Sequence, residues 1–226
     1  MHLSHPRPLN LVLVGPPGSG KGTQAQLLEE RFSLYHLATG DLIRSIRAHA
    51  GADDTLANEV KARYDAGIPQ PDAVVVKIVD RELARLHRKT GFIFDAFPLS
   101  VPQAIELERM IERYDMRTPL AISIDVTEAE AVRRLTLRKF CPADQHVYHP
   151  QDAAYVANKC SVCGGSLMQR PDDTVALAKK RYLTYADRIM KMKDFYRDHG
   201  RLLEVSGEQP IQDVYREVLQ ALVPYL

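Results

Sequence analysis

Long apolar runs are missing from this sequence, and none approaches the roughly 18 residues that a membrane-spanning helix needs. The opening stretch, MHLSHPRPLN, also lacks the apolar segment of a secretory signal. An excess of one charge is missing as well, because 30 Lys and Arg residues oppose 29 Asp and Glu residues, for a net charge of +1. We therefore expect a cytoplasmic protein that binds neither membranes nor nucleic acid.

Cysteine is scarce, and internal repeats and low-complexity tracts are absent. The 226 residues contain three cysteines, Cys141, Cys160 and Cys163, which lie close together in the chain. An odd number of cysteines in a reducing compartment argues against a disulfide framework and favours a metal site or free thiols. The length suits one sizeable hydrophobic core with small insertions.

Short apolar stretches alternate with helical patterns along most of the chain. Five stretches contain predicted strands: LNLVLVG at 9–15, YHLATGD at 35–41, FIFDAF at 92–97, LAISIDV at 120–126 and RLLEVSG at 201–207. In the second of them a short strand is followed by a Thr/Asp start for the next helix. Helices are predicted at about residues 20–31, 41–49, 54–66, 72–87, 101–113, 128–139, 174–198 and 211–222, with Asp72 able to cap the fourth. This alternation predicts an α/β fold, a doubly wound parallel sheet with helices on both faces.

A glycine-rich loop, GPPGSGKGT at residues 15–23, joins a predicted buried strand to a predicted helix. Glycines let the backbone approach a phosphate closely, and the N–H groups and dipole of the helix start attract the anion. Lys21 would add its charge to the β- and γ-phosphates. The common motif places Ser or Thr directly after this lysine, whereas here Gly22 intervenes before Thr23.

The segments GPPGSGKGTQAQ, ATGDLIR and GFIFDAFP together resemble the adenylate kinases, which transfer a phosphoryl group between ATP and AMP. The resemblance extends over about residues 9–222, and glycine-lysine-glycine-threonine is itself typical of nucleoside monophosphate kinases. It implies a P-loop three-layer α/β/α core with a five-stranded parallel sheet and two inserts. The implied segments are a core at 1–38, 71–136 and 174–226, a monophosphate-binding insert at 39–70, and a lid at 137–173. A monomer that binds ATP, AMP and ADP is also implied.

The resemblance implies a role for each matching residue. The ATP-binding set is Gly15, Pro17, Gly18, Ser19, Gly20, Lys21, Gly22, Thr23, Arg134 and Arg138. The AMP-binding set is Thr39, Gly40, Arg44, Gln103, Arg170 and Arg181. The implied catalytic set is Lys21, Arg138, Arg170, Arg181 and Asp95, in which Asp95 would orient Mg²⁺ through water. Arginine suits this work because its planar fork binds phosphate at two points and stays charged.

Two of these residues bear on the choice of base. Thr39 and Gln103 match positions that favour AMP over UMP or CMP, although Gln103 could instead be an ordinary exposed helix residue. An acidic pair, Asp172 and Asp173, matches residues near the lid hinge.

The cysteines fall in the implied lid with the spacing of a zinc ribbon. Cys141 is followed three residues later by Asp144, and Cys160 is followed three residues later by Cys163. We expect a structural Zn²⁺ bound by these four residues, with His146 or His149 as alternative fourth ligands and free thiols as the alternative to any metal. So small a lid lacks a core of its own and would gain order from the ion.

One motif departs from the family. Aspartate-glycine-phenylalanine-proline-arginine is usual, whereas here Asp95 is followed by Ala96, Phe97, Pro98 and Leu99. Loss of one cationic donor costs about 10²–10³ in rate at comparable sites. Arg47, which shares a helix face with Arg44, could compensate. The first hypothesis is therefore an active ATP:AMP kinase. The alternatives are a nucleotide-binding relative with weakened or lost transfer, and a monophosphate kinase with another base preference.

Overall fold

The computed structural model describes residues 7–49, 54–66, 68–87, 90–143, 146–170 and 173–226. Its strands are β1 (Leu11–Val14), β2 (Tyr35–Ala38), β3 (Phe92–Asp95), β4 (Leu120–Asp125), β5 (Lys139–Phe140), β6 (Val147–Tyr148) and β7 (Leu202–Ser206). Its helices are α1 (Lys21–Phe32), α2 (Thr39–Ala48), α3 (Thr55–Asp65), α4 (Asp72–Leu86), α5 (Val101–Arg113), α6 (Glu128–Leu137), α7 (Ala153–Ala157), α8 (Val175–Asp198) and α9 (Ile211–Leu222), and a 3-10 turn (Val223–Tyr225) follows.

The central sheet has five strands in the order β2-β3-β1-β4-β7, and all its pairings are parallel. The predicted α/β fold with a doubly wound five-stranded parallel sheet is therefore confirmed. In the register of the sheet, Leu13 pairs with Asp95, and Asp95 pairs with Ala38. The loops after β1, β2 and β3 consequently open at one edge, which is where ligands of such sheets bind.

Hydrophobic cores cover both faces of the sheet. Alternation along β1 sends Val12 and Val14 into one core, with residues of α4, α5 and α8, and Leu11 and Leu13 into the other, with α1 and α9. All four side chains are buried. A strand buried on both faces explains why this segment is uniformly apolar in sequence. None of the helices in the described parts of the chain is long and apolar enough to cross a bilayer.

Two smaller units project from this core. One comprises α2 and α3, which share a small apolar cluster with α4 that includes Leu56, Val60 and Ile78. The other contains the antiparallel pair β5 and β6 and the short α7, packed around Cys141 and Cys160. Helix α6 leads into this second unit, α8 leads out of it, and the two helices pack against each other.

Two details differ from the sequence prediction. The helix after β2 begins at Thr39, two residues earlier than predicted. Asp72 does not cap α4, because Pro71 is the N-cap and Asp72 is the first helical residue. Its carboxylate instead accepts hydrogen bonds from Ser100, the N-cap of α5, and from Gln103 on α5. These partners are far away in sequence, so a local capping pattern does not reveal them.

Candidate active site

The phosphate loop is shaped by glycines with a positive φ. Gly15, Gly18 and Gly20 have φ values of 150°, 87° and 93°. A Cβ added at Gly15 would lie 2.5 Å from the Ile124 carbonyl oxygen, and one at Gly18 would lie 2.6 Å from that of Ala131. Only glycine fits these two positions, because the clash is with backbone. All the predicted loop residues therefore lie together between β1 and the first turn of α1: Gly15, Pro17, Gly18, Ser19, Gly20, Lys21, Gly22 and Thr23.

Lys21 folds back over this loop. Its Nζ donates hydrogen bonds to the carbonyl oxygens of Gly15, at 2.7 Å, and Pro16, at 2.9 Å. Burial lowers the pKa of Lys21, while the charge of Asp95 opposes this and that of Arg181 adds to it. The buried Ser19 Oγ has no hydrogen-bond partner among the described residues. An anion that enters the loop would therefore meet the Nζ of Lys21 and an unpaired hydroxyl.

Asp95 stands at the end of β3, beside the start of α1. A Cβ at Gly22 would lie 3.7 Å from its Oδ2, which shows how closely the carboxylate approaches the loop. His36 on β2 donates from Nε2 to the same oxygen over 3.3 Å. Burial would raise the pKa of Asp95, but the hydrogen bond from His36 and the charges of Lys21 and His36 outweigh it and lower that pKa. Asp95 is therefore ionised at neutral pH.

His36 is a site residue that the sequence analysis missed. Burial would lower its pKa, but the hydrogen bond to Asp95 and the nearby carboxylates raise it above the ordinary value. The signal available in the sequence was its place in YHLATGD, one of the two strands that flank the end of β3 in a doubly wound sheet.

Arg134 reaches the phosphate loop from α6. Its Nη1 lies 3.5 Å from the Ser19 carbonyl oxygen, and its Nη2 donates to the carbonyl oxygen of Gly207 at 2.7 Å. Glu130 accepts a hydrogen bond from its Nε at 2.6 Å. Hydrogen bonds from Arg133 and Arg134 lower the pKa of Glu130 to about 2. The ion pair fixes Arg134 at the edge of the loop.

Arg138 and Arg181 share one buried carboxylate. Arg138 donates to Asp173 from Nε at 2.6 Å and from Nη2 at 2.8 Å, and Arg181 Nη1 lies 3.5 Å from Asp173. The guanidinium of Arg170 lies over the ring of Phe140, 5.3 Å from its centroid. Asp172, the other predicted hinge acid, lies outside the described residues.

The predicted monophosphate side contains Thr39, Gly40 and Arg44 at the start of α2. Thr39 Oγ1 donates to the carbonyl oxygen of Ala96 at 3.0 Å, which ties α2 to the loop after β3. Arg44 pairs with Asp41 on its own helix, yet its buried Nε has no partner among the described residues. The unpaired N–H marks the guanidinium as able to take a further acceptor such as a phosphate oxygen.

Gln103 is not an exposed helix residue, so that alternative is wrong: it is 4% exposed. Its Oε1 accepts from the backbone N–H of Leu99 at 2.7 Å, and its Nε2 donates to Asp72 at 2.8 Å. Ala96, three residues before the part-buried Leu99 in the loop after β3, has a φ of 58°, the left-handed conformation that favours glycine.

Arg47, the residue that could compensate for Leu99, is engaged by two side chains of the neighbouring helix. Its Nε donates to Asp65 at 2.6 Å, and its guanidinium lies over the ring of Tyr64. Both partners belong to α3.

The three cysteines converge as predicted. Their sulfur atoms lie within 4.8 Å of one another, and those of Cys141 and Cys163 are 3.4 Å apart. The backbone N–H groups of Val162 and Cys163 donate to Cys160 Sγ, an arrangement that stabilises a thiolate. Thiolates are preferred ligands of Zn²⁺, so the residues present fit that ion.

The same geometry reduces the number of candidates for the fourth zinc ligand. Of the candidates for it, His146 and His149 are described, and neither joins the cluster of ligand atoms. Asp144, the fourth ligand that we predict, lies outside the described residues.

Comparison with known proteins agrees with this site. The family model described as adenylate kinase matches residues 13–201. A protein named adenylate kinase from Desulfitobacterium hafniense is 38% identical over 218 residues, which cover 95% of this chain and 98% of that one. Another, from Archaeoglobus fulgidus, is 35% identical over 215 residues, which cover 93% of this chain and 96% of that one. The phosphate loop, the carboxylate beside it and these matches together place the chain in the adenylate kinase family.

Proposed function

We propose that the chain transfers the γ-phosphoryl group of ATP to AMP, which yields two molecules of ADP. The observation that carries this proposal is the meeting of the phosphate loop with Asp95 and Thr39 at one edge of the sheet. The loop is suited to bind a donor triphosphate, and the start of α2 is suited to bind an acceptor next to it. Phosphoryl transfer asks the protein mainly for positioning and for neutralisation of charge, which this arrangement supplies.

On the donor side, the backbone N–H groups of the loop and Lys21 would hold the β- and γ-phosphates. Arg134 would contact ATP from the edge of the loop. Arg138, Arg170 and Arg181 would bind oxygens of the group in transfer, where charge spreads in the transition state. The contact of Arg138 and Arg181 with Asp173 supports a common direction for these two side chains.

Magnesium accompanies ATP in this chemistry. The ionised carboxylate of Asp95, next to Gly22 at the start of α1, suits a hard cation, and we propose that it orients Mg²⁺ through a water ligand. The ion would neutralise phosphate charge and polarise the transferring group.

On the acceptor side, Thr39, Gly40 and Arg44 would contact AMP, with Arg170 and Arg181 reaching its phosphate. The unpaired Nε of Arg44 supports a phosphate contact there. Gln103 would recognise the adenine base. A second candidate function, nucleotide binding with weakened transfer, is favoured by one observation: Leu99 supplies no charge, and Arg47 is engaged by Asp65.

The small unit that contains β5, β6 and the cysteines would act as the lid. We propose that Cys141, Asp144, Cys160 and Cys163 bind a structural Zn²⁺, which would order the lid and take no part in catalysis. We further propose that the enzyme is a cytoplasmic monomer. Its segments would be the core at 1–38, 71–136 and 174–226, the monophosphate insert at 39–70 and the lid at 137–173.

A turnover assay tests this function. Purified protein would be given MgATP with AMP, GMP, CMP or UMP, and ADP would be measured by a coupled reaction. We expect ADP with AMP at about 1–100 s⁻¹ if the first candidate is right. Binding of ATP with negligible turnover on all four monophosphates would favour the second candidate. A Lys21→Met variant is the control, because it keeps the loop but removes the ammonium.

A further inference from the structure

Both the nitrogen and the oxygen of the Gln103 carboxamide are hydrogen-bonded within the protein. Its Nε2 faces the carboxylate of Asp72 at 2.8 Å, and its Oε1 faces the backbone N–H of Leu99 at 2.7 Å. A carboxylate only accepts hydrogen bonds and a backbone N–H only donates. The two ends of the amide are therefore assigned by chemistry, since a reversed amide would set acceptor against acceptor and donor against donor.

Asp72 is itself held in place. Its other oxygen accepts a hydrogen bond from Ser100 Oγ at 2.6 Å. It occupies the first turn of α4, where the helix dipole favours a negative charge. Ser100 is the N-cap of α5 and accepts a hydrogen bond from the backbone N–H of Gln103 at 3.3 Å. Asp72, Ser100 and Gln103 thus bind the beginnings of α4 and α5 to each other.

The two hydrogen bonds determine which donor and acceptor sites of the Gln103 amide remain for a ligand. A glutamine side chain offers two N–H donors and two acceptor lone pairs. One donor and one lone pair are used by Asp72 and Leu99, so, with respect to the described residues, one donor on Nε2 and one lone pair on Oε1 are left for a ligand. Adenine presents an acceptor at N1 and a donor at its 6-amino group. Hypoxanthine and guanine present the reverse, a donor at N1 and an acceptor at O6.

We propose that Asp72, together with the backbone N–H of Leu99, fixes Gln103 in the orientation that pairs with adenine and rejects 6-oxopurines. The proposal rests on the proposed function, because it places the acceptor base against Gln103. A 6-oxopurine would be accepted only if the amide turned over, which would break both hydrogen bonds of a buried side chain and set donor against donor and acceptor against acceptor. Asp72 is therefore a positioning residue, and it discriminates between bases without touching them.

AMP and IMP are the probes, because hypoxanthine differs from adenine only at this edge. We expect the natural protein to prefer AMP over IMP by about 10²-fold in kcat/KM. Asp72→Asn puts at position 72 an amide that can donate or accept, so turning Gln103 over would cost only the hydrogen bond from the backbone N–H of Leu99. We expect this variant to lower the preference at least tenfold, mainly by improving KM for IMP, with kcat for AMP nearly unchanged. Asp80→Asn makes the same change on α4, at a carboxylate that pairs with Arg113 and Tyr114, and should keep the natural preference.

Equilibrium titration with AMP and IMP repeats the comparison without turnover. A protein that transfers nothing, yet prefers AMP in the titration and loses that preference in Asp72→Asn, would overturn the proposed function and support this inference. An unchanged preference in a folded Asp72→Asn variant, or no preference in the natural protein, would overturn the inference. Asp72→Ser, which can also donate or accept, replaces Asp72→Asn if that variant does not fold.

Discussion

Arg138 donates two hydrogen bonds, of 2.6 and 2.8 Å, to Asp173, whose side chain has no exposed surface. Arg138 follows α6 directly, and Asp173 precedes Thr174, the N-cap of α8. The pair therefore joins the two points at which the chain enters and leaves the unit that we propose as the lid. Because Arg181 approaches the same carboxylate, Asp173 orients two arginines that we assign to the transferring phosphates.

Asp173→Asn should destabilise the protein, because Arg138 would lose its negative partner in a mostly buried position. We expect the free energy of unfolding to fall by about 3 kcal/mol. Urea denaturation followed by circular dichroism measures it. Asp198→Asn, at the exposed end of α8, is the matched control and should change the value by less than about 0.5 kcal/mol. Equal effects of the two substitutions would contradict this prediction.

Leu99→Arg should restore a cationic donor next to the acceptor. We expect kcat/KM for AMP to rise by up to about 10² if the missing charge limits transfer. Leu99→Met is the control, since it keeps the size and apolar character of the side chain. Both variants retain the backbone N–H that binds Gln103. If the natural protein already turns over at ordinary kinase rates and Leu99→Arg gains nothing, then the argument from the missing arginine is wrong.

Ala96→Gly should stabilise the protein, because glycine adopts the φ of 58° at this position without steric cost. We expect the free energy of unfolding to rise by about 1 kcal/mol. The same replacement at Ala62, exposed in the middle of α3, should lower it by about 1 kcal/mol. Thermal and urea unfolding of the two variants measures both changes. Shifts of the same sign would show that Ala96 is unstrained.

The structure could be predicted from the sequence wherever a residue acts through its own segment. Strands β1 and β3 are predicted because each contains a continuous apolar run, and the cysteine cluster is predicted because paired short spacings bring sulfurs together. Contacts between segments that are distant in the chain were not predicted from the sequence. Asp72 resembles a helix cap locally, but Ser100 and Gln103 determine its role, and Arg47 shares a helix face with Arg44 yet turns to α3.

The His36–Asp95 pair should make stability depend on pH. The pKa of His36 is raised in the folded protein, so its stabilising contribution is complete below the unfolded value of about 6.5 and is lost as pH rises through the folded value. The pKa of Asp95 is lowered, so its contribution is present above about 3.9 and is lost as pH falls through the folded value. His36→Gln should therefore destabilise most between these limits and least at high pH.

Urea titrations at several pH values, without added magnesium, would show this dependence. Proton NMR of His36 should give a midpoint above 6.5. A midpoint at or below that value would contradict the contact with Asp95.

The lid cysteines should retain zinc through purification. We expect about one Zn²⁺ per chain by elemental analysis, and a thiolate charge-transfer band when Co²⁺ replaces it. Cys160→Ser should lose the ion and lower Tm. Asp144→Ala and His146→Ala separate the candidates for the fourth ligand, and we expect only Asp144→Ala to weaken binding. A metal-free protein whose Tm does not respond to added zinc would exclude the site.

The packing of α6 against α8 has a mechanical consequence. The proposed lid is connected to the core by two helices, α6 and α8, and the Arg138–Asp173 pair links them at the ends next to the lid. The second helix is held firmly, since the later half of α8 buries Ile189, Met192 and Tyr196 in the core. A unit held by two linked helices rotates easily about the line that joins the two attachment points and resists twisting about either helix. The lid would thus approach the phosphate loop along one arc, so its arginines would arrive in the same orientation each time.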